Sequence, residues 1–539
     1  MTLFRLALRS HRTGAIATGA IGAISGILNG VAYIQIAGHD PAARQAFAQQ
    51  MEILGRQLAY LLPRPVQLDT LAGYLTWRSF GTVATIYAIW GLLAATGAGR
   101  GDDERGLTEL WLGSGVSRAR WVIVRSGGFI VMAALSVAVT MAVTAAAAAG
   151  LGEPLALAGV VGESLPLLGL TLWGFGIGLL VAQLVATRRA AAVIAGIAVI
   201  ALFTLNSVLR AGGDPGALKW LSPFYLFDRS APLLVGGTVE PASCIALLVE
   251  AAVLVAIAGW AFARRDLGGI LLRARLRSPA SAYRPSRDPL LRLPVLALVG
   301  QQRGWIAGWA VAMAALGYFL ASLARTMIDS LRSIPSLQVY LERLGLLHPA
   351  DMVGVIWFST ALLILSIFVV AQVNGWAADD AEGRLETALS AGASRPRVVV
   401  ERIAALLVAS AVVIAVSTAS VWLASGVFDL GAPVDRLFLA AFLMLPVVFA
   451  LGSIGHAVVG WRPRVAVVLL GAVAVISYFT QEFAPLFDLP EWVGRTSFFV
   501  LYGQPMTRVD VPGAATLLLI GVVAAFVAIA AMERRDVGR

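Results

Sequence analysis

Long, nearly uninterrupted apolar runs dominate this chain, separated by short polar stretches. In the first half they fall near 13–38, 77–97, 121–149, 160–186, 189–208 and 243–263, and in the second near 304–325, 353–374, 398–425, 434–460, 464–481 and 512–532. About 20 residues of helix cross a hydrocarbon core of about 30 Å, so each run is long enough to span a bilayer. Continuous apolarity, rather than a two-residue alternation, predicts helices and excludes a β-barrel, because lipid cannot satisfy unpaired backbone groups. The expected fold is therefore all-α and polytopic, with about twelve transmembrane helices. The opening "MTLFRLALRSHR" has the basic start of a signal peptide. Its arginines continue to Arg12 and no small-residue cleavage site follows, so it is expected to be retained.

The polar stretches repeat. "GDDERGLTELWLGSGVSRARWVIVR" (101–125) aligns without a gap on "ADDAEGRLETALSAGASRPRVVVER" (378–402). The alignment pairs Asp102 with Asp379, Asp103 with Asp380, Gly106 with Gly383 and Glu109 with Glu386. It also pairs Leu112 with Leu389, Gly115 with Gly392, Ser117 with Ser394 and Arg118 with Arg395. "RLALRSHRTGAIATGA" from Arg5 resembles "VLALVGQQRGWIAGWA" from Val295, and "ARRDLGG" from Ala263 matches "ERRDVGR" from Glu533. "TVEPASCIALL" from Thr238 echoes "RVDVPGAATLLL" from Arg508. The chain thus reads as two six-span repeats in the same orientation. The first occupies 1–265 with segment 101–120, and the second 304–539 with segment 378–397. Between them, 266–303 is a basic linker, "RARLRSPASAYRPSRDPLLR" at its centre, with an interfacial helix. Parallel repeats imply pseudo-twofold symmetry about the membrane normal, with a pathway between the halves.

Within the repeated segment Leu107, Leu110 and Trp111 have the spacing of one face of a short helix, begun after acidic residues that favour a helix N-terminus. Gly115 is placed to end it and Ser117 to cap the next helix, which runs into the third span. A solvated loop needs only polarity. Two copies that keep Asp-Asp, Gly, Glu and Ser-Arg at one spacing point instead to a docking element tied to two spans.

Composition supports the membrane reading. Hydrophobic residues are 59% and charged residues 13% of 539, against roughly 45–50% and 25% in soluble domains, and mean hydropathy is +0.82. With a cytoplasmic N-terminus, arginines outnumber acids in the inward segments and acids outnumber bases elsewhere, a positive-inside bias. The net charge of +10 is then a topology signal. No basic domain supports nucleic-acid binding. Cys244 is the sole cysteine, and His11, His39, His348 and His456 have no metal-ligand spacing. A phosphate loop needs Gly-Lys-Ser/Thr, and the only lysine, Lys219, is followed by Trp220. No ATPase motif is therefore expected in this chain.

An acidic start, Gly, Glu, an apolar turn and Ser-Arg between the second and third spans resembles the coupling region of ATP-binding-cassette exporter permeases. Six spans per half, the closing "RRD" and a long outer stretch before each sixth span extend the likeness over nearly the whole chain. The fused twelve-span drug and polyketide-antibiotic (tetronasin-type) export permeases are the most similar. That resemblance implies a non-enzymatic transport subunit in the bacterial cytoplasmic membrane, with both termini cytoplasmic. It implies two copies of a separate ATPase, which carry ATP and Mg, and a hydrophobic small-molecule substrate; no cofactor is implied in this chain. The coupling residues would be Asp102, Asp103, Gly106, Glu109, Leu112, Ser117 and Arg118, with Asp379, Asp380, Gly383, Glu386, Leu389, Ser394 and Arg395 in the second copy. The copies differ at Arg105 against Glu382 and Leu107 against Arg384, so the two sites need not be equivalent. An ATP-driven lipid or peptide exporter is an alternative in the same class. A major-facilitator carrier is one outside it, since "GRGDDERG" from Gly99 partly echoes that family's signature.

Polar residues within spans are costly and few. Glu250, in "CIALLVEAAVLVAIAGW", is the foremost candidate for lining a pathway, with Asn29, Gln183 and Asn206, although helix-to-helix hydrogen bonds serve them equally. Glu163 and Glu482 lie near outer span ends. No catalytic or metal-binding set emerges. "PAARQAFAQQMEILGRQLAYLLPRP" from Pro41 and "RTMIDSLRSIPSLQVYLERLGLLHP" from Arg325 have helical apolar spacing and suit an outer cap or interfacial helices. "SPFYLFDRSAPLL" from Ser222 and "SFFVLYGQPM" from Ser497 resemble the family's short re-entrant helices, or an aromatic interface belt.

Overall fold

A computed structural model describes residues 2–57, 62–210, 212–214, 216–266, 269, 293–332, 349–381, 383–483 and 490–535. The linker at 273–292 and most of the second outer stretch, 333–348, lie outside the described residues. The chain divides into two compact units, Met1–Ser281 and Ala282–Arg539. Twelve helices in the described residues are long and apolar enough to cross a membrane. No strand occurs among those residues, only an isolated bridge between Gln504 and Arg508.

In the first unit the spans are Thr2–Ala37, Leu71–Glu104, Arg118–Gly150, Leu157–Leu184, Arg188–Arg210 and Pro241–Arg264. The first begins eleven residues before its apolar run, because Arg5, Arg9 and Arg12 ride on a helix that continues from the interface into the span. The second is interrupted by π-helical turns at Thr76–Phe80 and Gly97–Gly101. In the second unit the spans are Arg303–Arg332, Pro349–Ala381, Arg395–Val427, Val434–Phe442 with Leu445–Trp461, Pro463–Phe483 and Val511–Arg534. Here the interfacial helix Pro294–Gln301 is separate from the first span. The fourth span breaks at Leu443–Met444, ahead of Pro446, whereas Pro166 sits inside an unbroken fourth span in the first unit.

Packing inside the first unit rests on close approach. Span one lays Gly19 and Gly22 against Ser136 and Thr140 of span three, and Gly174 of span four faces the backbone of Ala88 in span two. Larger side chains would push these helices apart, and dispersion between close backbones is the main attraction available in lipid. Ser136 donates to the carbonyl of Ala15 at 2.8 Å, and the hydroxyl of Tyr87 lies 2.9 Å from Ser136 and 2.8 Å from Thr140. Three spans separate the repeated segment from the stretch before span six in each half, so the two lie at opposite ends of the bundle, a segment side and a far side.

Candidate functional site

The repeated segments share one backbone geometry. Short helices span Leu107–Gly113 and Arg384–Ser390. Each starts after a glycine in the left-handed region, Gly106 at φ 70° and Gly383 at φ 75°, a conformation that costs other L-residues roughly 1–2 kcal/mol. Each ends at a second such glycine, Gly115 at φ 87° and Gly392 at φ 89°. The amide of Gly115 donates to Leu112 and that of Val116 to Trp111, and Gly392 and Ala393 repeat the pair on Leu389 and Ala388. Ser117 then accepts from the amide of Arg120 at 3.2 Å and caps span three. Ser394 holds the same extended backbone without that side-chain bond.

The buried face of the short helix is not the expected one. Thr108 is fully buried and Trp111 and Leu112 pack on the core, while Leu110 is 70% exposed. In the second copy Leu385 takes the place of Thr108 and Leu389 packs beneath it. Residues 108 and 112 are one turn apart and face inward together, which turns Glu109 and Leu110 to solvent in the first copy and Glu386 and Thr387 in the second.

The acidic and basic residues of the segment form a lattice beneath it. Asp102 pairs with Arg105 at 2.6 Å and with Arg125 of span three. Asp103 pairs with Arg265, at the end of span six, and lies 3.6 Å from Arg100. Arg265 also donates to Oε1 of Gln183 in span four at 2.7 Å, and Arg125 to Ser10 in span one at 2.9 Å. Glu104 accepts from the amide of Arg188 at the start of span five, 2.7 Å away. Arg118 donates to the carbonyl of Phe262 at 2.7 Å, covering the exposed C-terminal carbonyls of span six. In the second half Asp380 meets Arg535 at 2.7 Å and Arg402 at 3.2 Å, Asp379 meets Arg384 at 3.0 Å, and Arg395 donates to the carbonyl of Glu533 at 2.6 Å. Buried charges persist where they are paired and hydrogen-bonded, and here the pairing joins spans two, three and six in both halves. The sequence reading did not single out Arg125, Arg402, Arg265 and Arg535 as partners. The available signal was an arginine at the same offset in both copies just inside an apolar run, since such a charge needs an anion.

The intramembrane candidates separate. Gln183 belongs to the lattice, and its amide also donates to Leu179 of its own helix at 2.9 Å. Asn29 donates to the carbonyl of Ser25 at 2.8 Å, within its own helix. Glu250 is half-buried beside the indole of Trp173. Asn206 donates to Asp228 at 2.7 Å, and Arg210 grips the same carboxylate at 2.6 and 2.7 Å. Among the described residues no cluster of His, Cys, Asp and Glu could hold a metal ion.

The far side holds the two short helices expected near Ser222 and Ser497. They span Pro223–Asp228 and Phe498–Tyr502, and the preceding serine caps each. Ser222 donates to Leu202 and Ser497 to Ser477, each at 2.8 Å and each 20 residues back in span five. A cavity of about 290 Å³ opens beside the first helix, lined among others by Trp77, Phe80, Glu163, Asn206, Asp228 and Arg229. Its counterpart beside the second is about 30 Å³, lined by Phe358, Gln481, Tyr502, Gln504 and Met506. The outer helix Pro41–Gln57 is pinned nearby. Phe47 packs on Tyr33 and Tyr74, and Arg44 meets Glu153 at 2.7 Å, a hydrogen bond that raises the pKa of its guanidinium.

Residues 14–267 match the family described as ABC-2 family transporter protein. Residues 291–535 match that of the multidrug efflux system permease Rv1217c, C-terminal domain. The two matches meet across the linker, one per half. No curated protein matches the chain.

Proposed function

Because the chain belongs to the permeases of ATP-binding-cassette exporters, we propose that it is the membrane subunit of an efflux pump whose ATPase is a separate protein. Two ATPase copies, carrying ATP and Mg, dock from the cytoplasm on the two short helices. The contact surfaces are Glu109 and Leu110 in one copy and Glu386 and Thr387 in the other. The observation that carries this reading is the division of labour within each segment. One face is locked into the lattice, and the other offers an acidic residue at the same place in both copies. Asp102, Asp103, Arg118 and their counterparts are then transmission parts. When ATP closes the partner dimer, displacement of the docked helix passes through Asp103–Arg265 and Asp380–Arg535 to spans two and six, and through the Ser117 cap and the Asp380–Arg402 pair to the third spans. Coupling requires docking surfaces that bind differently in the two ATPase states. The cargo is a hydrophobic drug-like or antibiotic-like molecule.

The test is to purify the full chain with the ATPase that accompanies it in membranes. Association, ATP hydrolysis and efflux are then compared for Glu109→Ala, Glu386→Ala and the double variant. The double variant should lose most stimulated hydrolysis and efflux while remaining folded. Unchanged association and transport would remove these helices from the docking role. A susceptibility panel on a strain lacking the protein identifies the cargo class.

A further inference from the structure

Glu163 stands apart from the acids of the lattice. It lies in span four on the far side, is 1% exposed, and lines the cavity of the first half. Its Oε2 has no hydrogen-bond partner, and no arginine or lysine among the described residues pairs with it. The other charges at this cavity, Arg64 apart, are engaged. Asp228 is held by Arg210 and Asn206, and Arg229 donates to Ser243 at 3.0 Å and faces Glu240 at 3.6 Å. Arg64 lines the exposed mouth. A carboxylate at this depth without a cation opposite it is costly.

A second lining residue carries an unsatisfied polar atom. Nε1 of Trp77 is buried and has no acceptor. Trp77 and Phe80 both sit on the π-helical turn Thr76–Phe80, and both rings line the cavity, with Phe227 and Tyr225 across from them. π-turns are rare and concentrate at functional sites. A concave chamber with four aromatic side chains, one carboxyl group without a cation opposite it and one unmatched donor among its lining residues has the make-up of a small-molecule site.

We propose that this cavity, inside the first half alone, binds a small organic cation with an aromatic or aliphatic body. Glu163 supplies the counter-charge, the rings of Trp77, Phe80 and Phe227 enclose the apolar part, and the indole N–H meets any acceptor it carries. Cationic groups bind well against such rings when desolvated. Among the described residues the lining of the smaller cavity in the second half, which includes Gln481 and Gln504, has no carboxylate, and that cavity is not expected to share the property. The inference concerns binding and stands without an ATPase or export.

The experiment uses the full chain in neutral phosphatidylcholine nanodiscs with no nucleotide. Saturation-transfer NMR titrates benzyltrimethylammonium and its anionic analogue benzylsulfonate, with protein-free discs subtracted. The cation should bind saturably and the sulfonate at least tenfold more weakly. Glu163→Gln should weaken the cation at least tenfold, Trp77→Phe less, and Asp435→Asn, exposed in the second half, not at all. Absence of saturable cation binding to the unaltered chain, or equal binding of the two probes, overturns the proposal. So does full affinity in Glu163→Gln. Should Glu163→Gln fail to fold, displacement of the cation by a Cys substitution at Ala231, made in a Cys244→Ser background and blocked with a bulky thiol reagent, decides the location. Unaltered binding there overturns it too.

Discussion

The two halves agree on one side of the molecule and part company on the other. On the segment side, glycine for glycine and arginine for arginine, the same bonds recur: Gly106 and Gly383, Arg118 and Arg395, Arg265 and Arg535. On the far side the agreement stops within one short helix. Ser222 and Ser497 make the same bond to span five, yet six residues on Asp228 is replaced by Gly503 and Arg229 by Gln504. If the segments dock alike partners, as proposed, one geometry suits both, whereas the far sides are free to differ.

Breaking the lattice should have the largest effect. Arg265→Ala leaves Asp103 buried without its main partner, at a cost of about 3–5 kcal/mol, read as loss of folded protein or a lowered unfolding midpoint. Arg535→Ala should cost less, about 1–3 kcal/mol, because Arg402 still faces Asp380. Equal losses would mean that the halves are braced identically. Docking should differ next. Leu110→Asp should weaken ATPase association by roughly tenfold or more, as removal of an exposed apolar anchor does, and Thr387→Asp by less, measured as dissociation constants. Gly106→Ala and Gly383→Ala should each cost about 1 kcal/mol from left-handed strain, and the near-equality of the two unfolding shifts is the sharper reading. Smallest is Tyr502→Phe, which loses the 2.9 Å hydrogen bond to the carbonyl of Ala440, about 1 kcal/mol.

How far these features could be read from the sequence follows the same division. Spans announce themselves by length and apolarity, so the twelve helices and the all-α class were plain, while their ends were not. Charged residues such as Asp102 and Asp103 extend a helix past its apolar run once they find partners the sequence does not display. The helix end at Gly115 and the cap at Ser117 were legible because backbone chemistry is local, whereas the left-handed start at Gly106 was not read. The inward face of the short helix was misjudged, since Leu110 is the more apolar residue but Thr108 is the one over the core. Glu163 was passed over in favour of Glu250 because hydropathy weighs depth in a run, and the cavity that sets Glu163 apart is built from four distant stretches.

The lattice also has a consequence for synthesis. Asp103 and Arg265 are 162 residues apart in the chain, and Asp380 and Arg535 155. At about 5–20 residues per second, the acid in the first half waits roughly 8–30 s for its base to emerge. Until the last helix of a half arrives, its bundle cannot latch. Each half is thus sealed by its own final helix, and a chain stalled a few residues short of Arg265 should be left open to the proteases of the membrane.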